Sequence, residues 1–235
     1  MKVNVPRAIG LYLVWLSCIS GVLLLAMGDV LPLRLGFITP ENAFTCLIEA
    51  ELFFVLVIWP FFIPRLLVPR ASGAAPAPAG VVVPAGVSGE GHLLVLQVCV
   101  LFVVAMPIAF LCQNLGNVGA REFFTGHLLV ATAASFVAAL FSLGAERQAR
   151  LAPWYVLGFF VASALLPFLH FLAGAFAGQS LRFLSALSPF WGASLLNEAT
   201  PLVSAGLFGA AALALFLAMP FLGRAGRTTG QASAA

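Results

Sequence analysis

Charge is what this chain has least of. Charged residues make up 8% of its 235 positions, where a soluble domain carries about 25% to keep its surface wet. So few ionised groups cannot coat a 24.6 kDa globule, and a soluble fold is excluded. Lysine is almost missing, Lys2 being the only one. A Gly-rich phosphate loop needs its Lys, so this chain cannot hydrolyse ATP by itself, and no catalytic residues are assigned. No His-Glu-x-x-His, Cys-x-x-Cys or Gly-x-Ser-x-Gly occurs, which removes the common zinc, redox and serine-hydrolase signatures. His92, His127 and His170 fall on three different apolar runs without ligand spacing. Each reads as a hydrogen-bonded structural residue rather than a metal ligand. His127 and His170, on neighbouring runs, are the only pair a haem could use. Cys18, Cys46, Cys99 and Cys112 have no paired spacing and read as small buried apolar residues. Strand-like alternation is missing as well, which argues against a β-barrel.

What is present is hydrophobicity: 62% of residues are apolar, and the mean hydropathy is +1.10. Long apolar runs cross bilayers as helices, whose backbone groups satisfy one another where water is absent. The sequence predicts an all-α, polytopic integral membrane protein with six spans. These run from about Ile9 to Met27, Ala43 to Pro64, His92 to Cys112, Phe124 to Leu143, Pro153 to Phe176 and Pro201 to Leu222. The first run is expected to be a retained helix rather than a cleaved signal, because no small-x-small site precedes Asp29. With both termini cytoplasmic, Lys2, Arg7, Arg65, Arg70, Arg147, Arg150, Arg224 and Arg227 fall inside, and only Arg34, Arg121 and Arg182 outside. That asymmetry follows the positive-inside rule.

The expected organisation is a single six-helix domain over 1–223 and a disordered cytoplasmic tail over 224–235. A cytoplasmic Pro/Ala/Gly-rich link over 65–91 centres on "ASGAAPAPAG" and reads as irregular or polyproline-like. The external stretch 178–200 is too polar to span and too apolar for a free loop. Leu181, Leu184 and Leu187 are spaced for a re-entrant or interfacial helix, with Trp191 at headgroup level.

Two carboxylates enter the second span. Glu49 and Glu51 lie two residues apart and so point about 200° from each other on a helix; they are not a shared acid pair. Either one lines a path for a cationic or hydrogen-bonding substrate, or both reach toward water and pair with Arg34 or Arg121. Pro60, Pro64, Pro107 and Pro167 each remove a backbone donor and can kink a span. Arg147 and Arg150 form a basic corner suited to anionic lipid headgroups or to a cytoplasmic partner.

The order of features resembles the membrane subunit of a type-2 ABC exporter over nearly the whole chain. The second span ends "LFFVLVIWPFFIPRLLVPR", and "GVVVPAGVSGEGHLLVLQ" leads into the third, which ends "VVAMPIAFL". The fourth passes through "ASFVAALFSLGAERQARLAPWYV" into the fifth, and "LRFLSALSPFWGAS" separates the fifth from the sixth. Within that last segment Ser188, Pro189 and Phe190 match the family's Ser/Asn-Pro-Phe motif. The resemblance implies a permease that moves cargo outward. It implies a separate ABC ATPase partner carrying ATP and Mg, with no cofactor in this chain. It further implies pairing as a homodimer or with a related permease, and a multi-pass position in a bacterial inner membrane among its lipids. Nucleic acid is not expected as a partner. Val82, Val83, Pro84, Ala85 and Gly86 would form the coupling segment. Here the chain departs from the family, whose Arg-Glu-rich segment is replaced by "ASGAAPAPAG". The alternative reading is a non-transporting membrane subunit that anchors or assembles a larger complex.

Overall fold

The computed structural model describes residues 2–3, 5–27, 38–60, 62, 67–68, 89–142, 145–177, 187–196 and 198–231. It is helical throughout, apart from one two-residue strand pair. Helix α1 spans Val5–Ala26. Helix α2, Ala43–Phe53, continues through a π-helical turn, Phe54–Ile58. Helices α3, Gly89–Leu115, and α4, Ala120–Phe141, follow. Helix α5, Ala145–Phe160, passes through a second π-helical turn, Val161–Leu165, into α6, Leu166–Ala177. A short helix α7, Pro189–Ser194, precedes α8, Thr200–Gln231. Strands β1, Lys2–Val3, and β2, Leu67–Val68, pair antiparallel, so α1 and α2 leave from and return to one end of the bundle.

Five helical stretches are long and apolar enough to cross a membrane: Ala8–Ala26, Leu96–Leu115, Ala120–Phe141, Pro153–Phe176 and Thr200–Ala218. This is an integral membrane architecture. The remaining expected span corresponds to α2 and its π turn, which holds the centre of the molecule. Phe44, Leu47, Ile48, Leu52, Phe54 and Trp59 along it are all fully buried. In a bilayer the lipid-facing positions take the apolar side chains, and the interior is free to be small or polar. Around the large side chains of α2, the neighbouring helices follow that pattern. Ala105 and Ala109 of α3, Ala133, Ala134 and Ala138 of α4, and Ala205 of α8 are buried, whereas Phe110, Phe124, Phe168 and Leu217 point outward.

Both π turns end two residues before a proline, Pro60 in one case and Pro167 in the other. A proline lacks the N–H that the carbonyl four residues earlier expects, and its ring crowds that carbonyl. Widening the preceding turn relieves the crowding: Trp59 and Leu166 donate five residues back, to Phe54 and Val161. Pro107 lies inside α3 without such a turn.

The turn between α3 and α4 is tight. Asn117 adopts φ +48°, a left-handed conformation Asn tolerates, and Val118 donates back to the Gln113 carbonyl at 3.0 Å. Ahead of α2, the Thr39 N–H donates to Asn42 Oδ1 at 2.8 Å, with Pro40 in the first turn. The exposed Glu41 beside it has its carboxyl held below the usual range by its own backbone N–H and then by the Thr39 hydroxyl.

Two expectations are corrected. The stretch after Arg224, read as a disordered tail, continues α8 as far as Gln231, because nothing after Pro220 interrupts the helical hydrogen-bond ladder. Cys99 is exposed rather than buried, while Cys18 and Cys46 are partly buried and only Cys112 is fully enclosed; all four are free thiols.

Candidate functional site

The second helix carries the chemistry. Glu51 is 0% exposed, and neither carboxyl oxygen has a hydrogen-bond partner among the described residues. Glu49, on the other side of the helix, is half-buried. The expected divergence of the two acids therefore holds, and they occupy different environments. The reading in which both reach water or pair with an arginine is corrected for Glu51: Arg121 is exposed at the start of α4, and Arg34 lies outside the described residues. The physical reason is depth. Glu51 shares its stripe of α2 with Phe44 and Ile48, and that stripe packs against Gly126 of α4. Only the lack of a side chain at Gly126 lets the two helices approach so closely.

Other buried polar atoms lie along the same core. Among the described residues Trp59 Nε1 and His127 Nε2 have no partner, although His127 Nδ1 lies 2.8 Å from the Phe123 carbonyl. The Cys112 thiol of α3 lies within electrostatic range of Glu51 and of Cys46. The His127 ring sits among Phe44, Phe102 and Phe123, whereas the His170 ring meets Trp191 edge-on at 4.4 Å between centroids. The two histidines thus have separate surroundings, and no group of three or more metal-ligating side chains forms among the described residues.

The Ser188–Phe190 motif, expected on the external side, lies within the bundle. Ser188 is fully buried and caps α7, its hydroxyl accepting from the Trp191 N–H at 3.4 Å. Pro189 occupies the first turn, where a missing N–H costs nothing. The helix packs against α2, α4, α8 and the second π turn. Gly192 makes this possible, since a β-carbon there would lie 3.0 Å from Ser204 Oγ and 3.6 Å from a Leu129 methyl. Phe190 meets Phe159 edge-on. Ser188, Pro189, Gly192, Ala193 and Leu196 thus pack inward, and Trp191 is held against His170.

A half-open apolar cavity of about 350 Å³ adjoins α7. Its walls include Leu56 of the first π turn, Ala162 of the second, and Tyr155 and Gly158 of α5. The Tyr155 hydroxyl donates to the Leu56 carbonyl. Pro60, four residues beyond Leu56, has no N–H to offer that carbonyl, so the tyrosine replaces a missing helical donor across to another helix. Removing that hydroxyl by Tyr155→Phe is expected to cost about 1 kcal/mol. Pro60→Ala in the same chain, which restores a local donor, should recover most of it. Detergent-unfolding midpoints of the four proteins of that cycle are the check.

Sequence reasoning named Glu49, Glu51, Ser188, Pro189 and Phe190, and the structure places Glu51 and the Ser188–Phe190 segment against the same central helix pair. The coupling candidates Val82, Val83, Pro84, Ala85 and Gly86 lie outside the described residues. The Tyr155–Leu56 contact and the cavity were missed; the signal for the first was Pro60 orphaning a carbonyl. Comparison with protein-family models, with curated proteins and with solved structures finds no match to this chain.

Proposed function

We propose that this chain is the membrane-spanning permease subunit of an ATP-binding-cassette exporter, driven by a separate ATPase, with six spans and both termini in the cytoplasm of a bacterial cell. The observation that carries the reading is the Ser188–Ser194 segment, a capped helix tucked inward between the fifth and sixth spans at the place where the sequence resemblance is greatest. The arrangement of α2 supports it. A helix with a buried, unpartnered carboxylic side chain and, before its proline, a π turn has two features that a purely structural span does not need. In this mechanism ATP binding closes a pair of ATPase subunits, the segment around Val82 to Gly86 transmits the movement, and the spans exchange between two packings close in free energy. Glu51 is assigned to the cargo path, with Glu49 nearer its rim. The protein is expected to act as a homodimer or with a related permease, and it supplies no catalytic group or cofactor of its own.

Affinity purification from the native host in mild detergent tests the reading. A stoichiometric ATPase with a Walker lysine among the co-purifying subunits is the expected result. Subunits of another membrane complex without an ATPase would transfer the assignment to a non-transporting anchor. Cysteines placed at Val82 to Gly86 are expected to cross-link to the ATPase, and labelling there by external reagents alone would overturn both the sidedness and the coupling role.

A further inference from the structure

The cavity beside α7 has no role in the account above, and its construction selects a ligand. Its walls converge from five separate segments, and both π turns border it, through Leu56 and Ala162. Its lining is apolar apart from Tyr155, whose hydroxyl is already engaged by the Leu56 carbonyl. A polar or ionic group entering the cavity would find nothing to replace its hydration, which leaves a hydrocarbon chain. Gly158 keeps the space open: a β-carbon there would meet no atom within 4 Å. The fifth span, Pro153–Phe176, has none of its most apolar stretch buried within the chain, so the cavity opens beside a helix that faces the surroundings. Trp154, 70% exposed, stands at its edge.

The helix that forms this wall also carries two arginines against one acid, Glu146, a net charge of one positive. Arg150 precedes Trp154 by four residues and Arg147 by seven, about 6 and 10 Å of helix rise. By backbone register both fall on the side of α5 that holds Trp154 and Gly158. A basic pair one to two turns beyond an apolar slot matches an amphiphile whose anionic headgroup lies at the interface and whose chain lies deeper.

We propose that this cavity binds one hydrocarbon chain of an anionic lipid taken from the leaflet on the arginine side, with Arg147 and Arg150 selecting the headgroup. That this lipid is the exported cargo rests on the permease reading; its binding does not.

The test uses the full-length chain in nanodiscs of phosphatidylcholine. These contain a trace of phosphatidylglycerol bearing a diazirine in its acyl chain, with diazirine-labelled phosphatidylcholine as reference. Adducts mapped by peptide mass spectrometry are expected to concentrate on Trp154, Phe159 and Phe208, with the anionic probe favoured by about fivefold for each arginine. Gly158→Leu should suppress these adducts without changing those on Phe168 and Phe176, exposed aromatics of the same span. Arg147→Gln with Arg150→Gln should erase the headgroup preference and leave neutral-probe labelling intact, a result that does not depend on the leucine variant folding. Equal labelling by the two probes, an even spread of adducts over Phe168 and Phe176, or indifference to Gly158→Leu would each overturn the proposal. Cavity labelling in a protein that brings down no ATPase would sink the permease reading alone. An ATPase partner with no cavity labelling would sink this inference alone.

Discussion

Glu51→Leu is expected to raise resistance to unfolding in detergent by about 1–3 kcal/mol while cutting export by about tenfold or more. The two effects have one origin. A carboxyl group at 0% exposure with both oxygens unpartnered has given up its hydration without recovering it in hydrogen bonds. A leucine of similar size has no such loss to offset. If Glu51 served the fold, through a bond made to residues outside those described, the same substitution would destabilise the protein. Glu51→Gln separates the cases further, because it keeps shape and polarity. Transport reduced at unchanged abundance assigns the acid to the cargo path, and equal loss of both would return it to architecture. Reconstituted transport together with an unfolding titration on the same preparations provides the readout.

Gly126→Leu is expected to cost about 3 kcal/mol or more, the upper end of what overpacking a core produces. A β-carbon at that position would lie 2.9 and 3.0 Å from two Ile48 side-chain carbons and 3.3 Å from the Phe44 ring. Neither neighbour can yield easily, since Ile48 and Phe44 are themselves fully buried. The α2–α4 pair must therefore separate, taking Glu51 with it. Ile48→Ala in the same chain makes room and should recover a large part of the loss. Gly206→Leu, at a site where a β-carbon meets nothing within 4 Å, serves as the control and should be nearly neutral. A Gly126 variant as stable as the parent would show that α2 does not pack against α4 as described.

The contrast between these glycines shows what the sequence could and could not reveal. Glycine and alanine are frequent in the fourth and sixth spans, and α8 does lie along α4, where a β-carbon at Gly209 would lie 3.5 Å from the Thr132 methyl. Nothing in the chain distinguishes Gly126, pressed between helices, from Gly158, beside open space; that depends on which face meets a partner. The same holds for the acids. Their spacing required that Glu49 and Glu51 diverge, but which of them faces the core depends on the rotation of α2, set by Phe44, Ile48 and their neighbours. Hydropathy located five long apolar helices because apolar length is a strong signal. It missed the onset of several helices by a few residues, since polar first turns such as Ala120–Glu122 add hydrogen bonds without adding hydrophobicity. The 178–200 stretch was read from its leucines as an interfacial segment. Leu181 and Leu184 lie outside the described residues; in the described part the helix is started by Ser188 and Pro189, and Gly192 lets it approach α8. Prolines 60 and 167 were visible as kinks, but the widened turns before them cannot be read from a periodicity.

The small ribbon joining Lys2–Val3 to Leu67–Val68 has a consequence for biogenesis. Its two halves lie on either side of α1 and α2, so it can close only after both helices have been synthesised and inserted. The Lys2–Val3 segment must therefore wait at its own side of the bilayer until the second helix has returned there. Closure then ties the first two helices into a hairpin before the third emerges from the ribosome, which makes that hairpin the natural first unit of assembly.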